Sequence, residues 1–450
     1  MVDIASLPNY TPGDENSVTV PPAGDAAVTA DAGVDAPVEP PGAPAGVMAD
    51  PIVVAYVVTT LAGSGAPAFA DGAGTGASFN RPAGVAVDAA GNVYVADSGN
   101  HRIRKVTHAG VVTTMAGSGT PGFADGTGAN ASFNFPNDVA VDAAGNVYVP
   151  AFSEYRIRKV TPAGVVTTLA GSGAVANVDG TGGAASFEGP RSVATDVAGN
   201  VYVGDGDRIR KVTPTGIVTT LAGRGSPGFS DGRGTGAGFS GPNGLVVDAE
   251  GNIYVADTQN RRVRKVTSAG VVTTLAGSTD GRACGPNPAG ITLAAAAGAL
   301  YISDSADQRI RKVTLAGVAT TVAGDAPGFF QDGTGAGARF NTPTGIAISP
   351  TGTFYVADRE NHRVRKVTPV GVGQLAVTWS APSTTGSAIT GYVASAGATG
   401  HSTRTCSAPG GASSCTISGL VSDVAYSVVV TASNAGGPGA PSAPTPATPN

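Results

Sequence analysis

The chain has 450 residues, a net charge of −5, 41% hydrophobic positions, 67 glycines and 32 prolines. This length and apolar content can bury a core in more than one domain, and regularly spaced glycines and prolines favour an all-β fold of short strands. Residues 1–51 carry eight acids and no base, whereas residues 52–369 carry 26 bases and 23 acids, a nearly neutral balance that argues against nucleic acid as a partner.

The N-terminal stretch, residues 1–51, is rich in Ala, Pro, Val and Asp and shows neither strand alternation nor helical periodicity. Its few large apolar side chains cannot offset the entropy lost on ordering, so we predict a disordered acidic linker. The sequence contains no signal-peptide pattern and no apolar run of 18 residues that could span a bilayer. We expect the linker to lead to a membrane-attached end encoded upstream; a solubilising tail is the alternative.

Two short motifs recur along residues 52–369. RIRKVT or a close variant begins at Arg102, Arg156, Arg208, Arg262, Arg309 and Arg363, and VTTxAG or a close variant begins at Val58, Val112, Val166, Val218, Val272 and Ala319. In residues 84–117, GVAVD, VYVAD, RIRKVT and VVTTMAG are typical of four antiparallel strands joined by turns. One such sheet cannot bury both faces, but six around an axis can, which predicts a six-bladed β-propeller.

The two motif series are offset by one unit. The first VTTLAG precedes the first RIRKVT, and the last RIRKVT has no VTTxAG after it. We therefore predict that residues 53–61 pair with residues 363–368, so that the N-terminal strand completes the last blade and closes the ring.

The repeated segment GNVYVADSGNHRIRKVT, with AGSG, DGxGxxAxF and PxGVAVD around it, resembles the NHL repeat of six-bladed propellers. The resemblance implies a binding platform, as in bacterial cell-surface members and the propeller region of teneurins. A minority of the family are enzymes, such as the peptidylglycine amidating lyase, whose metal site needs a histidine cluster. The four histidines here, His101, His108, His362 and His401, show no ligand spacing, and we expect His101 and His362 to pack at equivalent blade corners.

After Pro369 the repeat ends, and residues 370–446 resemble a fibronectin type III β-sandwich that lacks its first strand, with residues 447–450 as a tail. Trp379 matches a core position of that domain, and Leu420 with Tyr426 matches its corner. Residues 40–49 could supply the missing strand, or could stay mobile beside a domain that tolerates its absence. Cys406 and Cys415 are predicted to form a disulfide, with two buried thiols as the alternative, and Cys284 is then unpaired.

Acidic residues recur at two positions of the repeat on the face where the long DGxGxxAxFxxP loops meet the corners between strands two and three. These candidate binding residues are Asp97, Asp205, Asp257, Asp304 and Asp358, and Asp71, Asp125, Asp179, Asp231 and Asp332. The alternative is a structural role, in which each DGxG acid closes its own turn and the following phenylalanine fills a gap between blades. Copy two replaces the first acid with Ala151, and the loop of copy five is seven residues shorter.

The arginines of RIRKVT alternate along a strand, so we expect them around the rim, paired with acids of neighbouring strands rather than forming a basic patch. We predict no metal; calcium held by the DGxG acids is the weaker possibility, because the acids lack EF-hand spacing.

Together these observations predict a secreted or envelope-attached, monomeric binding scaffold without catalysis or cofactor, whose loops face a protein or polysaccharide partner. Two alternatives remain open: a calcium-dependent lactonase-like or lyase-like propeller enzyme, and a structural component of a surface layer.

Overall fold

A computed structural model describes residues 2–3, 17–19, 53–277, 285, 287–379, 388–399, 401–421, 425–435, 437–438, 441–442 and 444–447. The fold is all-β, as predicted. The chain divides into two compact units, one formed by Tyr56–Pro369 and the other by Val370–Asn450 together with Met1–Ala55. Across the described ranges, no helix has the length and apolar character needed to cross a membrane.

The first unit is a six-bladed propeller, and each blade is an antiparallel sheet whose strands follow one another outward from the axis. Blade one contains Pro82–Val87, Val93–Asp97, Arg102–Val106 and Val111–Ala116; blade two Ala140–Val141, Val147–Ala151, Arg156–Val160 and Val165–Ala170; blade three Pro190–Thr195, Val201–Asp205, Arg208–Val212 and Ile217–Ala222. Blade four contains Pro242–Val247, Ile253–Asp257, Arg262–Val266 and Val271–Ala276; blade five Pro288–Ala294, Ala299–Asp304, Arg309–Thr314 and Ala319–Ala323; blade six Pro343–Ile348, Phe354–Asp358, Arg363–Trp379 and Val53–Ala62.

The DGxG loops add a two-residue strand to the outer edge of five blades. These strands are Gly72–Ala73, Gly126–Thr127, Gly180–Thr181, Gly232–Arg233 and Gly333–Thr334. Short 3-10 turns follow these strands or form blade corners, at Gly74–Gly76, Ser98–Asn100, Gly128–Asn130, Phe152–Glu154, Gly182–Ala184, Gly234–Gly236, Ala295–Ala297, Gly335–Gly337 and Arg359–Asn361. The loops therefore form part of the blade sheets through backbone pairing.

β-branched residues alternate along the strands, and each blade buries its faces against the next blade. In one seam, Tyr94 and Ile103 of blade one form a single apolar cluster with Phe133 and Val149 of blade two. Since each sheet is covered on both sides by its neighbours, the second strand of every blade is buried along its whole length.

The ring is closed as the motif offset predicted. Val53–Ala62 lies between Arg363–Trp379 and Gly333–Thr334 in the sheet of blade six. The Tyr56 and Tyr301 hydroxyls lie 2.9 Å apart and share a hydrogen bond across the seam to blade five. The N-terminal strand is thus an integral part of the last blade.

Side chains also bridge the blades close to the axis, where each donates to a carbonyl on the first strand of the next blade. These bonds run from Asn137 to Arg191, Ser192 to Pro242, Thr258 to Pro288, Ser303 to Thr344 and Thr344 to Ala83. Five of the six seams are therefore joined at the axis by side-chain hydrogen bonds as well as by apolar packing.

The second unit contains a β-sandwich. The last part of Arg363–Trp379 pairs with Ser414–Val421 in one sheet, and Ile389–Ala398, His401–Pro409, Tyr426–Asn434, Gly437–Pro438 and Thr445–Ala447 form the other. Trp379, Leu420 and Tyr426 are buried in its core, as the resemblance implied. A disulfide joins Cys406 to Cys415. It connects strands of different sheets rather than strands that pair with each other.

A strand from the N-terminal region pairs at the edge where the sandwich lacks its first strand. Val18 lies opposite Trp379 and Thr19 opposite Thr378, and Val2–Asp3 pairs in turn with Ser17–Thr19. The proposal for residues 40–49 falls outside the described residues, and the segment found at this edge comes from earlier in the chain.

Removing residues 1–62 is expected to lower the melting temperature of the propeller by at least about 10 °C, whereas removing residues 1–45 is not. The longer deletion takes away buried Tyr56, Val58 and Leu61, a loss of several kcal/mol. Calorimetry of both truncated proteins tests this, and equal melting temperatures would refute closure by the N-terminal strand.

Candidate functional site

A fully buried arginine lies near the loop face of blade one. Arg104 Nη1 contacts Asp97 Oδ2 at 2.6 Å and Arg104 Nη2 contacts Asp71 Oδ1 at 2.6 Å. Its guanidinium also lies between two phenylalanine rings, 4.8 Å from the centroid of Phe69 and 5.2 Å from that of Phe79. One side chain thus joins the second strand, the third strand and the DGxG loop.

Both carboxylates bind backbone N–H groups as well. Asp97 Oδ1 accepts a hydrogen bond from Asn80 N at 2.8 Å, and Asp71 Oδ2 accepts one from Thr114 N at 3.2 Å. Burial raises the pKa of Asp97, while hydrogen bonds and the Arg104 charge oppose that rise. The arrangement fixes the loop to the blade instead of closing the loop's own turn.

The arrangement recurs around the ring. The ion pairs are Arg158 with Asp125, Arg210 with Asp205 and Asp179, Arg264 with Asp257 and Asp231, and Arg365 with Asp358 and Asp332. In blade five Arg311 contacts Asp304 and Asp307 instead. The loop of that blade, including Cys284, lies mostly outside the described residues.

The two sets of candidate aspartates differ in exposure. The Asp97 set, with Asp205, Asp257, Asp304 and Asp358, is fully buried, whereas the side chains of the Asp71 set, with Asp125, Asp179, Asp231 and Asp332, are about half exposed. A ligand role for either set stays a prediction. All of these carboxylates already form ion pairs within the protein.

The prediction that both arginines of each RIRKVT motif lie around the rim was wrong for the second arginine. In five blades this arginine is fully buried rather than lying on the rim, as Arg104, Arg158, Arg210, Arg264 and Arg365 show, whereas Arg311 of blade five is partly exposed. A register shift between Ile103 and Arg104 breaks simple alternation, so both residues are buried. The expected pairing with neighbouring acids is present.

Blade two restores the missing carboxylate from another position. Glu154 Oε2 contacts Arg158 Nη1 at 2.9 Å, and Glu154 Oε1 accepts a hydrogen bond from Asn134 N at 2.9 Å. Blades one, four and six have Asn at the position of Glu154, for example Asn100, which donates to Asp97. Ala151 and Glu154 therefore exchange the roles that Asp97 and Asn100 have in blade one, a compensation that the sequence interpretation missed.

The corner histidines link neighbouring blades. His101 Nδ1 accepts a hydrogen bond from Phe135 N at 3.2 Å, and His362 Nδ1 accepts one from Arg81 N at 3.1 Å. Burial lowers the pKa of both rings, which favours the neutral form that these bonds require. Within the described part of the chain, no group of three or more His, Cys, Asp or Glu side chains is arranged to hold a metal.

The sequence interpretation also missed an acid at the axis. Gly84, Gly244, Gly290 and Gly345 occupy the third position of the PxG segment in four blades, whereas Asp138 occupies it in blade two and Ser192 in blade three. Asp138 lines a cavity of about 100 Å³ to which all six blades contribute. Burial raises its pKa to about 7, although it accepts a hydrogen bond from Val193 N at 3.0 Å. The break in the repeated glycine was the available signal.

A second feature of the loop face is a set of exposed phenylalanines, each lying against an arginine. Phe69, Phe123, Phe229 and Phe330 are 44, 46, 45 and 39% exposed. The guanidinium carbons of Arg102, Arg156, Arg262 and Arg363 lie 3.8, 4.0, 3.9 and 3.8 Å from the respective ring centroids. Blade three has exposed Val175 at this position instead. Stacking holds each ring in place while part of the ring stays exposed.

Comparison with known families agrees with this architecture. The family "NHL repeat" matches residues 79–106, 239–266 and 340–367, and "Fibronectin type III domain" matches residues 363–448. The propeller therefore carries NHL repeats, and a fibronectin type III domain follows it.

Two relatives illustrate the similarity at the level of sequence. Protein SUPPRESSOR OF QUENCHING 1, chloroplastic, of Arabidopsis thaliana is 29% identical over 333 residues, 69% of this chain and 27% of that protein. Teneurin-3 of Danio rerio is 28% identical over 227 residues, 43% of this chain and 8% of that protein. The chain thus spans about a quarter or less of these relatives.

Among solved structures, a protein of unknown function from Bacteroides thetaiotaomicron shares the fold, with a TM-score of 0.54 and 21% identity over 70% of this chain and 76% of that one. A streptogramin B lyase aligns with a TM-score of 0.47 and 15% identity over 70% of this chain and 98% of that one, a likeness too low to bear on activity.

The exchange in blade two leads to a prediction about stability. Changing Glu154 to Asn leaves Arg158 with only Asp125 and is expected to cost about 3 kcal/mol of unfolding free energy, because a buried charge loses a partner. Adding Ala151→Asp recreates the Asp97–Asn100 arrangement and should recover most of the loss. Denaturant unfolding of the single and double variants checks this; no recovery in the double variant would contradict the exchange.

Asp138 leads to a prediction about pH. Its pKa is about 7 in the fold against an ordinary value of 3.8, so the unfolded chain ionises first. The fold loses stability as pH rises from about 4 to 7, and the loss is complete above pH 7. Asp138→Asn should match the wild type at pH 4 and exceed its unfolding free energy by about 4 kcal/mol at pH 8, at about 1.4 kcal/mol per pKa unit. Unfolding curves at both pH values measure the difference, and the same difference at both would rule out titration of Asp138.

Proposed function

We propose that this chain, an NHL-repeat propeller followed by a fibronectin type III domain, is a non-catalytic binding scaffold of the cell envelope or of secreted material, and that its partner is a protein. The observation that carries the proposal is the exposed phenylalanines of the loop face. Phenylalanine and arginine are enriched where proteins bind proteins, and a rigid ring loses little entropy when it is covered.

The exposed phenylalanines are unevenly distributed. Five of them lie on three successive loops, which enter blades six, one and two. They are Phe69, Phe123, Phe135, Phe329 and Phe330. We call these five residues the aromatic arc. The loop that enters blade three presents Val175 and Val178 instead, and the one that enters blade four presents only Phe229. An uneven patch is what a binding site needs and what a repeated scaffold alone does not require.

The polar groups near the arc favour a protein over a polysaccharide. Arg102 donates to Ser118 O at 2.8 Å, Arg156 to Ser172 O at 2.7 Å and Arg363 to Ser64 O at 3.0 Å. These guanidinium groups are already committed to backbone carbonyls, so the arc offers mainly apolar ring faces. A sugar also needs hydrogen-bond donors at its hydroxyls, whereas apolar side chains of a protein do not.

An oxidising location agrees with the Cys406–Cys415 disulfide, since such bonds persist outside the reducing cytosol. The similarity to teneurins and the fibronectin type III domain support the same location. The fibronectin type III domain is then a spacer that carries the propeller.

Changing Phe69, Phe123 and Phe330 to Ser together is expected to reduce partner capture at least tenfold, because each aromatic anchor contributes on the order of 1–2 kcal/mol. Full-length wild type and variant, immobilised at equal density, are incubated with solubilised native envelope, and bound proteins are quantified by mass spectrometry. Purified envelope polysaccharide is tested in parallel.

Phe229→Ser is the matched control, since that ring has the same exposure and the same arginine contact but lies outside the arc. Each single arc variant is compared with it. Equal capture by wild type and triple variant would refute the arc, and polysaccharide binding that depends on the arc would replace the protein partner by a glycan.

A further inference from the structure

The cavity at the axis has the size of a small chemical group. An engineered apolar cavity of about 150 Å³ holds benzene, so the cavity of about 100 Å³ here accommodates four or five non-hydrogen atoms. That is the end of a lysine side chain, and it is too small for a sugar ring. The lining combines short apolar side chains such as Ala83, Ala289 and Ile291 with the polar residues Asn137 and Asn243.

Asp138 introduces a carboxylate where the first strands of blades one and two approach closely. A β-carbon placed on Gly84 would lie 2.4 Å from both Asp138 Cα and Asp138 Oδ1, and Val193 N donates to Oδ2. The carboxylate therefore lies between the first strands of blades one and three. Within residues 53–277 and 287–379, no Lys, Arg or His forms an ion pair with it, unlike the aspartates of the buried arginine sites.

Two arginines lie near the cavity. Arg359, on its lining, has its Nε 3.8 Å from Glu360 Oε1. Arg191, on the strand that supplies Val193, lies 4.9 Å from the Phe152 ring and is exposed. Neither forms an ion pair with Asp138 within the described residues, so the arginines leave the carboxylate without a direct salt-bridge partner.

We propose that this cavity binds a primary alkylammonium group, supplied by a lysine side chain of the protein partner. The aliphatic stem contacts the apolar lining and the ammonium pairs with Asp138, with amide oxygens of Asn137 and Asn243 as further acceptors. A compact ammonium fits a narrow cavity, whereas a planar guanidinium needs a wider one. The inference extends the proposed protein-binding function, since the cavity lies inside the loop face that carries the arc.

Binding a cation favours the ionised carboxylate, so binding and deprotonation are linked. With a pKa of about 7 in the free protein, the ionised fraction rises about thirtyfold between pH 5.5 and 8, and the affinity for an ammonium is expected to rise by the same factor. This dependence separates the site from an exposed acid, which is ionised throughout that range.

The test uses n-butylammonium chloride and the full-length protein, so it does not depend on any partner. Saturable binding is followed by NMR and calorimetry at pH 5.5, 7 and 8 at constant ionic strength. We expect binding that strengthens with pH, is at least tenfold weaker in Asp138→Asn, and is absent for 1-butanol. Asp207→Asn, which changes another carboxylate that accepts a backbone hydrogen bond, from Gly241 N, should bind normally.

Equal binding by wild type and Asp138→Asn, or equal binding of 1-butanol, would overturn the inference. So would tight stoichiometric calcium that excludes butylammonium, which would make this a metal site. If butylammonium binds but fails to compete with the partner captured through the arc, the cavity takes a free amine and the lysine source is wrong. If the arc variants capture the partner normally, the butylammonium experiment is unaffected. The two proposals can therefore be refuted separately.

Discussion

The structure depends on an ion pair network that is buried in most blades of the ring. A guanidinium removed from water is costly unless every charge around it is paired, and Arg104 meets this demand with one carboxylate from the second strand and one from the DGxG loop. The loop must therefore stay on the blade for the arginine to stay buried. Long glycine-rich loops, which would otherwise be mobile, become a firm surface on which Phe69 can remain exposed.

Departures from the repeat carry different information according to whether they are compensated. Ala151 removes an acid, but Glu154 returns it to the same arginine, so the blade keeps its structure and the change implies no function. Asp138 places a carboxylate where four blades have glycine, and no Lys, Arg or His among the described residues of the propeller forms an ion pair with it. A protein that tolerates such a group loses stability near neutral pH, and retaining it is more easily explained by a ligand than by packing.

The repeat period of the sequence was sufficient to predict the blades and the closing strand, because the blades follow from strand alternation and the closing strand follows from motif order. The Trp379 core could be predicted because that residue lies in a recognisable segment. The burial of Arg104 could not, since it depends on a register shift and on two acids that lie 7 and 33 residues away. The Glu154 exchange and the cavity beside Asp138 arise only when loops and strands from different repeats meet.

The closing strand has a mechanical consequence. Val53–Ala62 and Arg363–Trp379 are neighbours in blade six, and the residues after the first strand lie beside the start of the second, where Arg363 Nη2 donates to Ser64 O. The chain entering the first strand and the chain leaving the second strand therefore lie at the same end of the pair. Tension between the chain entering and the chain leaving the propeller would unzip this pair one hydrogen bond at a time instead of shearing it, so blade six would open at low force while the other five stay folded.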